Sequence, residues 1–269
     1  MDQQLNLSSY LELAESLPLN DDDILFIASD LQQLVLDCRK RDESFDVNSL
    51  IESFQKILCN GTIVIPAYTD NLWSGDKFDW ETTKPTTGAL SNKVFKRTDF
   101  VRSRDPLHSV LAWGKKSSDI SELSSESTLG KGSIFEYLHQ NNAKMICIDV
   151  HFQNSFTYVH YVEEMLQVKY RKYYNLILNV KTEGAFKSKM VKFHTKKPWV
   201  LTDLYELQHS FNVDGIKTNY QFDQVKIQFF ELDKAYDYVE GYIKSGKRLY
   251  QIDILHYLKR IVKRIIGKK

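Results

Sequence analysis

Thr157, His160 and Glu163 stand three residues apart in Thr-Tyr-Val-His-Tyr-Val-Glu. A histidine is the side chain best suited to take a proton near neutral pH. A carboxylate within reach can hold its imidazole or stabilise the charged form. If the segment is helical, the three side chains share a face; if it is extended, Thr157 and His160 point opposite ways. The spacing leaves two other readings open. His160, between Tyr158 and Tyr161, can be a hydrogen-bonded core histidine. His-x-x-Glu can also supply two metal ligands, but no second such pair occurs, and no metal is expected. A second histidine, His108, follows Asp105-Pro106-Leu107. It is either a site residue or a turn histidine. Asp105 either meets a cationic amine or caps that turn. Gly130-Lys131-Gly132-Ser133 precedes a helix signal, Ser133 with Glu136 in capping-box spacing. Free N–H groups and glycines at a helix start suit phosphate; the same residues also make a plain tight turn. Arg102 and Arg104 can pair with phosphates or with surface acids.

The elements that must position these groups follow from periodicity. Residues 24–27 and 62–66 are apolar runs of strand type, the second stopped by Pro66. Helical patterns over 30–41 and 47–59 lie between them. The second is capped by Asn48 and closed by Asn60-Gly61. Strand, helix, strand predicts a parallel α/β core. Residues 69–88 form an irregular loop long enough to suggest function. Strands are expected at 110–113 and 145–150, with a Ser-rich loop at 117–128. The loop 151–155 brings His160 to the carboxyl end of a strand, where α/β folds place their sites. Short helices are expected at 7–17 and 88–96, strands near 175–181 and 188–193, and helices near 199–211 and 232–245. The fold class is α/β: a mixed, largely parallel central sheet flanked by helices, with an irregular active-site loop region and a C-terminal amphipathic helix. Residues 1–245 form the main domain and 246–269 a basic tail.

The chain has 269 residues, 42% hydrophobic and 26% charged. It can bury a core without staples. Cys38, Cys59 and Cys147 include no Cys-x-x-Cys pair, which argues against a disulfide framework or structural zinc and fits a reducing cytoplasm. A net charge of +1 gives no reason to expect a nucleic-acid partner. No basic segment followed by an apolar run opens the sequence, so no signal peptide is expected. No apolar stretch reaches the roughly 20 residues of a membrane span. Ile252, Leu255, Leu258, Ile261, Val262, Ile265 and Ile266 recur at helical spacing, with Lys259, Arg260, Lys263 and Arg264 on the other face. Such a helix can lie at an anionic membrane surface, or pack on its own domain or on a second subunit in a homo-oligomer. The expected location is the cytoplasm, with peripheral contact at the inner face of the membrane through that helix.

Four segments in order resemble the aminoglycoside 3-N-acetyltransferase family. Gly-Thr-Ile-Val-Ile-Pro-Ala-Tyr-Thr at 61–69 resembles its "GTLVMPTFT". Val-Arg-Ser-Arg-Asp-Pro-Leu-His-Ser-Val at 101–110, with Ala112 and Gly114, resembles "VRSxHPxHSVAAxG". Ser-Thr-Leu-Gly-Lys-Gly-Ser-Ile-Phe at 127–135 resembles "SPLGxGSPF". Thr157, His160 and Glu163 fit "TxxHxxE". The chain departs from the family at Asp105, where the family has histidine, and at Ile27-Ala28-Ser29, where only the serine of "HSS" remains. The resemblance implies an acetyl-CoA-dependent N-acetyltransferase with His160 as general base, supported by Glu163, Thr157 and His108. It places Ser29, Arg102, Ser103, Ser109, Gly130, Gly132 and Ser133 around coenzyme A, and Tyr68 and Asp105 on the side of a small-molecule amine acceptor. The neutral charge balance and lysine-rich C-terminal half suit an amino sugar, nucleotide- or lipid-linked, in surface-polysaccharide assembly better than a polycation. Aminoglycoside resistance and a non-catalytic CoA-binding or scaffold role are the alternatives.

Overall fold

The computed structural model describes residues 3–123, 125–254 and 258. Its strands, in chain order, are β1 (Gln3–Gln4), β2 (Ile24–Ser29), β3 (Thr62–Pro66), β4 (Lys77–Phe78), β5 (Val101–Arg102), β6 (Val110–Gly114), β7 (Lys144–Ile148), β8 (Arg171–Thr182), β9 (Ala185–Lys196), β10 (Val200–Thr202), β11 (Lys217–Phe222), β12 (Val225–Glu231) and β13 (Tyr250–Ile252). Eight of them form one sheet in the order β1-β11-β12-β7-β2-β3-β6-β5. β2 and β3 are apolar along nearly their whole length because both sheet faces are covered. Alternate side chains feed two cores. Phe26, Val64, Met145 and Cys147 enter one, and Leu25, Ile27, Ile63, Ile65, Ile146 and Ile148 enter the other.

The parallel pairings are β7–β2, β2–β3 and the β1–β11 edge. The remaining neighbours in this sheet are antiparallel. The expectation of a largely parallel sheet therefore holds for its middle and gives way outside it. The reason is the connections. β11 and β12 are joined by Asp223 and Gln224 alone, a hairpin that only antiparallel strands allow. β6 returns beside β3 antiparallel after a long connection that holds β4, the expected helix at Ala89–Val94 and β5.

The helices Gln32–Lys40 and Val47–Ile57 lie between β2 and β3 as expected. The cap of the second is Asp46 rather than Asn48: its carboxylate accepts from the Ser49 N–H at 3.0 Å. The Ser-rich loop begins with a helical turn, Ser117–Ser121. β8 and β9 form a hairpin longer than the sequence pattern indicates, joined by β4 in a separate sheet. Phe78, Leu107, Leu178, Val180 and Val191 give it a small core of its own. The expected helix 199–211 divides into β10 and a helix at Tyr205–Val213.

β10 pairs antiparallel with β13, and Leu249 is only 1% exposed in the main core. The packed domain thus continues past residue 245, and 250–252 are a strand rather than the start of a tail helix. The amphipathic pattern from Leu255 onward, apart from Leu258, lies outside the described residues. Among the described residues no helix is long and apolar enough to cross a membrane.

Gly114 ends β6 at φ +98°, paired with Thr62, and an added Cβ would collide with the Gly61 carbonyl oxygen. Gly114→Ala is expected to cost about 2 kcal/mol or more, read as a lower urea midpoint. An unchanged midpoint would contradict this packing.

Candidate functional site

The helix Val159–Met165 starts directly after a turn in which the His160 N–H bonds the Thr157 carbonyl. Phe152 and Phe156, stacked on each other and packed on Phe211 and Phe230, anchor that turn in the core. Helical geometry brings His160 and Glu163 onto one face. His160 Nδ1 lies 2.7 Å from Glu163 Oε2. Glu163 is 1% exposed and is satisfied from two further directions. The Tyr170 hydroxyl donates to Oε1 at 2.7 Å, and Arg171, the first residue of β8, pairs with Oε2.

Arg171 Nη1 also lies 2.6 Å from His160 Nδ1. One ring nitrogen cannot both donate to the carboxylate and accept from the guanidinium. We place the proton on Nδ1, because the imidazole–carboxylate bond is charge-assisted and Arg171 already has its anionic partner. Nε2 then carries the lone pair. Burial works against ionisation of Glu163, but His160, Arg171 and Tyr170 outweigh it and hold the carboxyl down at about 2. Burial, then the Arg171 charge, pushes the His160 imidazole below its ordinary value against the pull of Glu163. The pair at neutral pH is a carboxylate and a neutral imidazole.

His160 opens onto a cavity of about 380 Å³, also lined by His108, Arg171, His194, Asp70 and Trp73. His108 Nδ1 is 2.9 Å from Thr128 Oγ1, and its ring meets Tyr68 edge-on at 5.1 Å. Burial and the nearby His160 push His108 down to about 4. Burial and Arg171 do the same to His194, 3% exposed on β9. Asp70 is the one carboxylate lining this cavity among the described residues; its Oδ1 accepts from the Thr86 hydroxyl at 2.8 Å.

His160 and His108 therefore meet at one cavity, with Glu163 behind His160. The other residues expected at the site do different work. Asp105 turns inward: its Oδ1 accepts from the Leu107 and His108 N–H groups at 2.8 and 2.7 Å. It caps the turn that presents His108 rather than facing an amine, and burial raises its carboxyl to about 6. Arg102 is a clamp and is not free for phosphate. It donates to Ser109 Oγ at 3.0 Å and to the carbonyls of Ala67, Trp80 and Thr83, and it stacks on Phe78 and Phe95. Ser109 donates to the Ala67 carbonyl at 2.7 Å, and Ser103 accepts from the Val110 N–H at 2.9 Å. Arg104 pairs with Glu122 at the surface.

The glycine turn is likewise occupied by the protein. Gly130 lies against the Glu164 carboxylate, the Gly132 N–H donates to Glu136 at 2.7 Å, and Ser133 caps the helix Ile134–Gln140. The anion cradle expected here is thus filled by the chain's own acids. Thr157 lies near Tyr68, whose buried hydroxyl has no hydrogen-bond partner; neither lines the cavity. Ser29 lies in a different place. At the carboxyl end of β2, its buried Oγ has no hydrogen-bond partner. It lines a groove of about 570 Å³ with Asp30, Leu31, Gln32, Gly88 and Val150, beyond the ends of the parallel strands β2 and β7.

Sequence reasoning missed Tyr170, Arg171, His194, Asp70 and Trp73. The loop 69–88, noted for its length, contains the last two. Tyr170 and Arg171 lie just ahead of the strand expected at 175–181, and His194 has no motif around it. Among the described residues no group of three or more His, Cys, Asp or Glu is placed to hold a metal ion.

The family profile described as aminoglycoside 3-N-acetyltransferase matches residues 40–244. None of the curated proteins matches the chain. Solved structures with the same fold include the YokD protein from Bacillus subtilis, 20% identical, covering 87% of this chain and 97% of its own at a TM-score of 0.72. The structure described as AAC-IIIb binary with CoASH is 13% identical, with coverages of 89% and 97% and a TM-score of 0.74. AAC-VIa bound to sisomicin is 12% identical, with coverages of 89% and 98% and a TM-score of 0.74.

Two predictions follow from this geometry. His108, His160 and His194 bind protons more weakly folded than unfolded. Their contribution is complete above about pH 6.5 and falls as pH drops below it, for His108 and His194 down to about 4. Asp105, raised to about 6, works the other way over part of that window. Urea unfolding from pH 7.5 to 4 should show a fall that becomes shallower in His194→Gln; an unchanged slope would contradict the buried, neutral imidazole. Arg102→Lys loses the fork of bonds. It should lower Tm while changing the Kd for coenzyme A less than about twofold, since Arg102 already has protein partners. A selective loss of coenzyme A binding at unchanged Tm would return Arg102 to the phosphate.

Proposed function

Since the chain belongs to the aminoglycoside 3-N-acetyltransferase family, a family of acyltransferases that draw on acetyl-CoA, we propose that it acetylates the amine of an amino sugar, with His160 as general base. The observation that carries this reading is the neutral His160, held through Nδ1 by a buried, ionised Glu163 and lining the cavity. In the proposed step the amine lone pair attacks the thioester carbonyl carbon. The C–S bond breaks as the tetrahedral intermediate collapses. His160 Nε2 takes the amine proton and passes it to the departing sulfur, so the products are the amide and the CoA thiol. Glu163 compensates the imidazolium while it carries that proton. His108, also neutral, contacts substrate across the same cavity.

The Ser29 groove is our candidate for coenzyme A. A buried hydroxyl without a partner is the kind of group a ligand completes, and the carboxyl ends of parallel strands are where α/β folds bind nucleotides. On the acceptor side, Asp70 offers one carboxylate, enough for one ammonium group. Trp73, 74% exposed at the cavity lining, offers an aromatic face to a sugar ring. Aminoglycoside acetylation is the second reading. It is favoured by the similarity to AAC-VIa bound to sisomicin and by Asp70.

Thiol release from acetyl-CoA, measured over a panel of aminoglycosides and nucleotide amino sugars, tests the proposal. His160→Ala should lower kcat by about 10²-fold or more with little change in KM for acetyl-CoA. Because the His160 pKa is lowered, the base form should persist to pH values below the usual 6.5, and activity should fall only at more acid pH. Turnover confined to aminoglycosides would replace the amino-sugar acceptor by the second reading. Turnover unaffected by His160→Ala would remove the base.

A further inference from the structure

Glu163 and Glu164 are consecutive, and both carboxylates are buried. Glu163 holds His160. Glu164, 2% exposed, points elsewhere. Its Oε2 accepts from the Ser127 hydroxyl at 3.1 Å. Its Oε1 lies so close to Gly130 that any Cβ there would collide with it. The carboxyl group therefore bonds Ser127 at one end of the turn 127–130 and packs against Gly130 at the other, with the Tyr173 hydroxyl as a further hydrogen-bond partner. Within the turn, the Gly130 N–H bonds the Ser127 carbonyl at 3.1 Å, and the Thr128 N–H bonds the Lys192 carbonyl of β9 at 3.1 Å. Thr128 lies between Ser127 and Gly130, and its hydroxyl is 2.9 Å from His108 Nδ1.

The bond between Thr128 and His108 has a direction. Burial keeps His108 neutral, so the ring carries one N–H. If that proton were on Nδ1 and donated to Thr128, the hydroxyl's own proton would need a further acceptor. Among the described residues, His108 Nδ1 is the hydrogen-bond partner of that buried hydroxyl. A buried donor left unsatisfied costs about 1–3 kcal/mol. Donation from the hydroxyl to Nδ1 leaves no such orphan. The ring proton then sits on Nε2, the nitrogen left for a ligand oxygen in the cavity that His108 lines.

We propose that Glu164 is a positioning residue: by bonding Ser127 and packing against Gly130 it fixes the Thr128 hydroxyl on His108 Nδ1 and holds His108 as the Nε2–H tautomer, a neutral hydrogen-bond donor facing the cavity. The two adjacent acids thus set the two histidines in opposite senses. Glu163 leaves His160 a lone pair at Nε2, and Glu164 leaves His108 a proton at Nε2. A proton acceptor and a hydrogen-bond donor then face one cavity, which suits removal of a proton from an amine beside a carbonyl that gains negative charge. That last link rests on the acyl-transfer reading; the tautomer does not.

The test is the ring ¹⁵N–¹H correlation spectrum of the full chain at pH 7.5, with the His108 signals assigned by their loss in His108→Gln. Wild type should give the Nε2–H pattern. Glu164→Ala should move His108 to an average of both tautomers while leaving the His160 signals in place. Glu164→Gln, which keeps an acceptor of the same size, should restore the pattern. Should Glu164→Ala fail to fold, Ser127→Ala removes the same bond at lower cost. An Nδ1–H pattern in wild type, or an unaltered His108 signal in Glu164→Ala and Ser127→Ala, would overturn the proposal. In thiol release, Glu164→Ala should lower kcat about tenfold, with recovery in Glu164→Gln. A wild-type chain without turnover would sink the acyl-transfer reading alone, since the spectra decide the positioning claim separately.

Discussion

An ionised carboxylate with 1% exposure is costly to bury, and Glu163 is stable there because three partners converge on it. Burial of a lone carboxylate would drive it to take up a proton instead. Here the Arg171 charge, the Tyr170 hydroxyl and the His160 N–H compensate it together. Those partners come from separate elements: the helix Val159–Met165 and the start of β8. The site therefore depends on how the β8–β9 hairpin is seated against that helix. The hairpin has a small core of its own, and β9 adds His194 to the cavity. Arg171 has a second effect, because its charge weakens proton binding at His160, His108 and His194. One guanidinium thus stabilises the anion and adds to the burial that keeps the surrounding imidazoles neutral.

The motif residues fall into two kinds. Arg102, Ser103, Ser109 and Asp105 tie the loop 101–109 to the end of β3 and to each other, and every one of those bonds is internal. Gly130, Gly132 and Ser133 tie the next motif to Glu164, Glu136 and a helix start. Their work is to hold His108 and Thr128 in place. In this chain these short polar motifs act through the geometry they enforce. The unpartnered hydroxyl of Ser29 and the exposed ring of Trp73 at the cavity wall have no such internal bonds.

Much of the fold was legible because β2, β3 and β7 are continuous apolar runs and the helices between β2 and β3 carry clear end signals. The sheet flanks were harder to read. Antiparallel pairing there follows from a tight turn at Asp223-Gln224 and a long return to β6, and neither leaves a periodic mark. Val200–Thr202 looked helical because the helix beginning at Tyr205 follows so closely; its pairing with Tyr250–Ile252 joins residues far apart in sequence. In the site, His160 and Glu163 could be read from spacing and family resemblance, and His108 from its motif. Arg171, Tyr170 and His194 could not, because their role depends on a long-range docking of β8 and β9. The internal partners of Arg102 and of the glycine turn were hidden for a related reason: sequence shows a donor's presence but not whether its partner is already inside the fold.

The site turns on His160 being a neutral imidazole with its proton on Nδ1, held by an ionised Glu163. The most direct measurement is a pH titration of the His160 ring nitrogens by ¹⁵N NMR in the full chain. An Nδ1–H tautomer at pH 7 and a protonation midpoint below the ordinary 6.5 are expected. A doubly protonated ring at pH 7, or a proton found on Nε2, would contradict it.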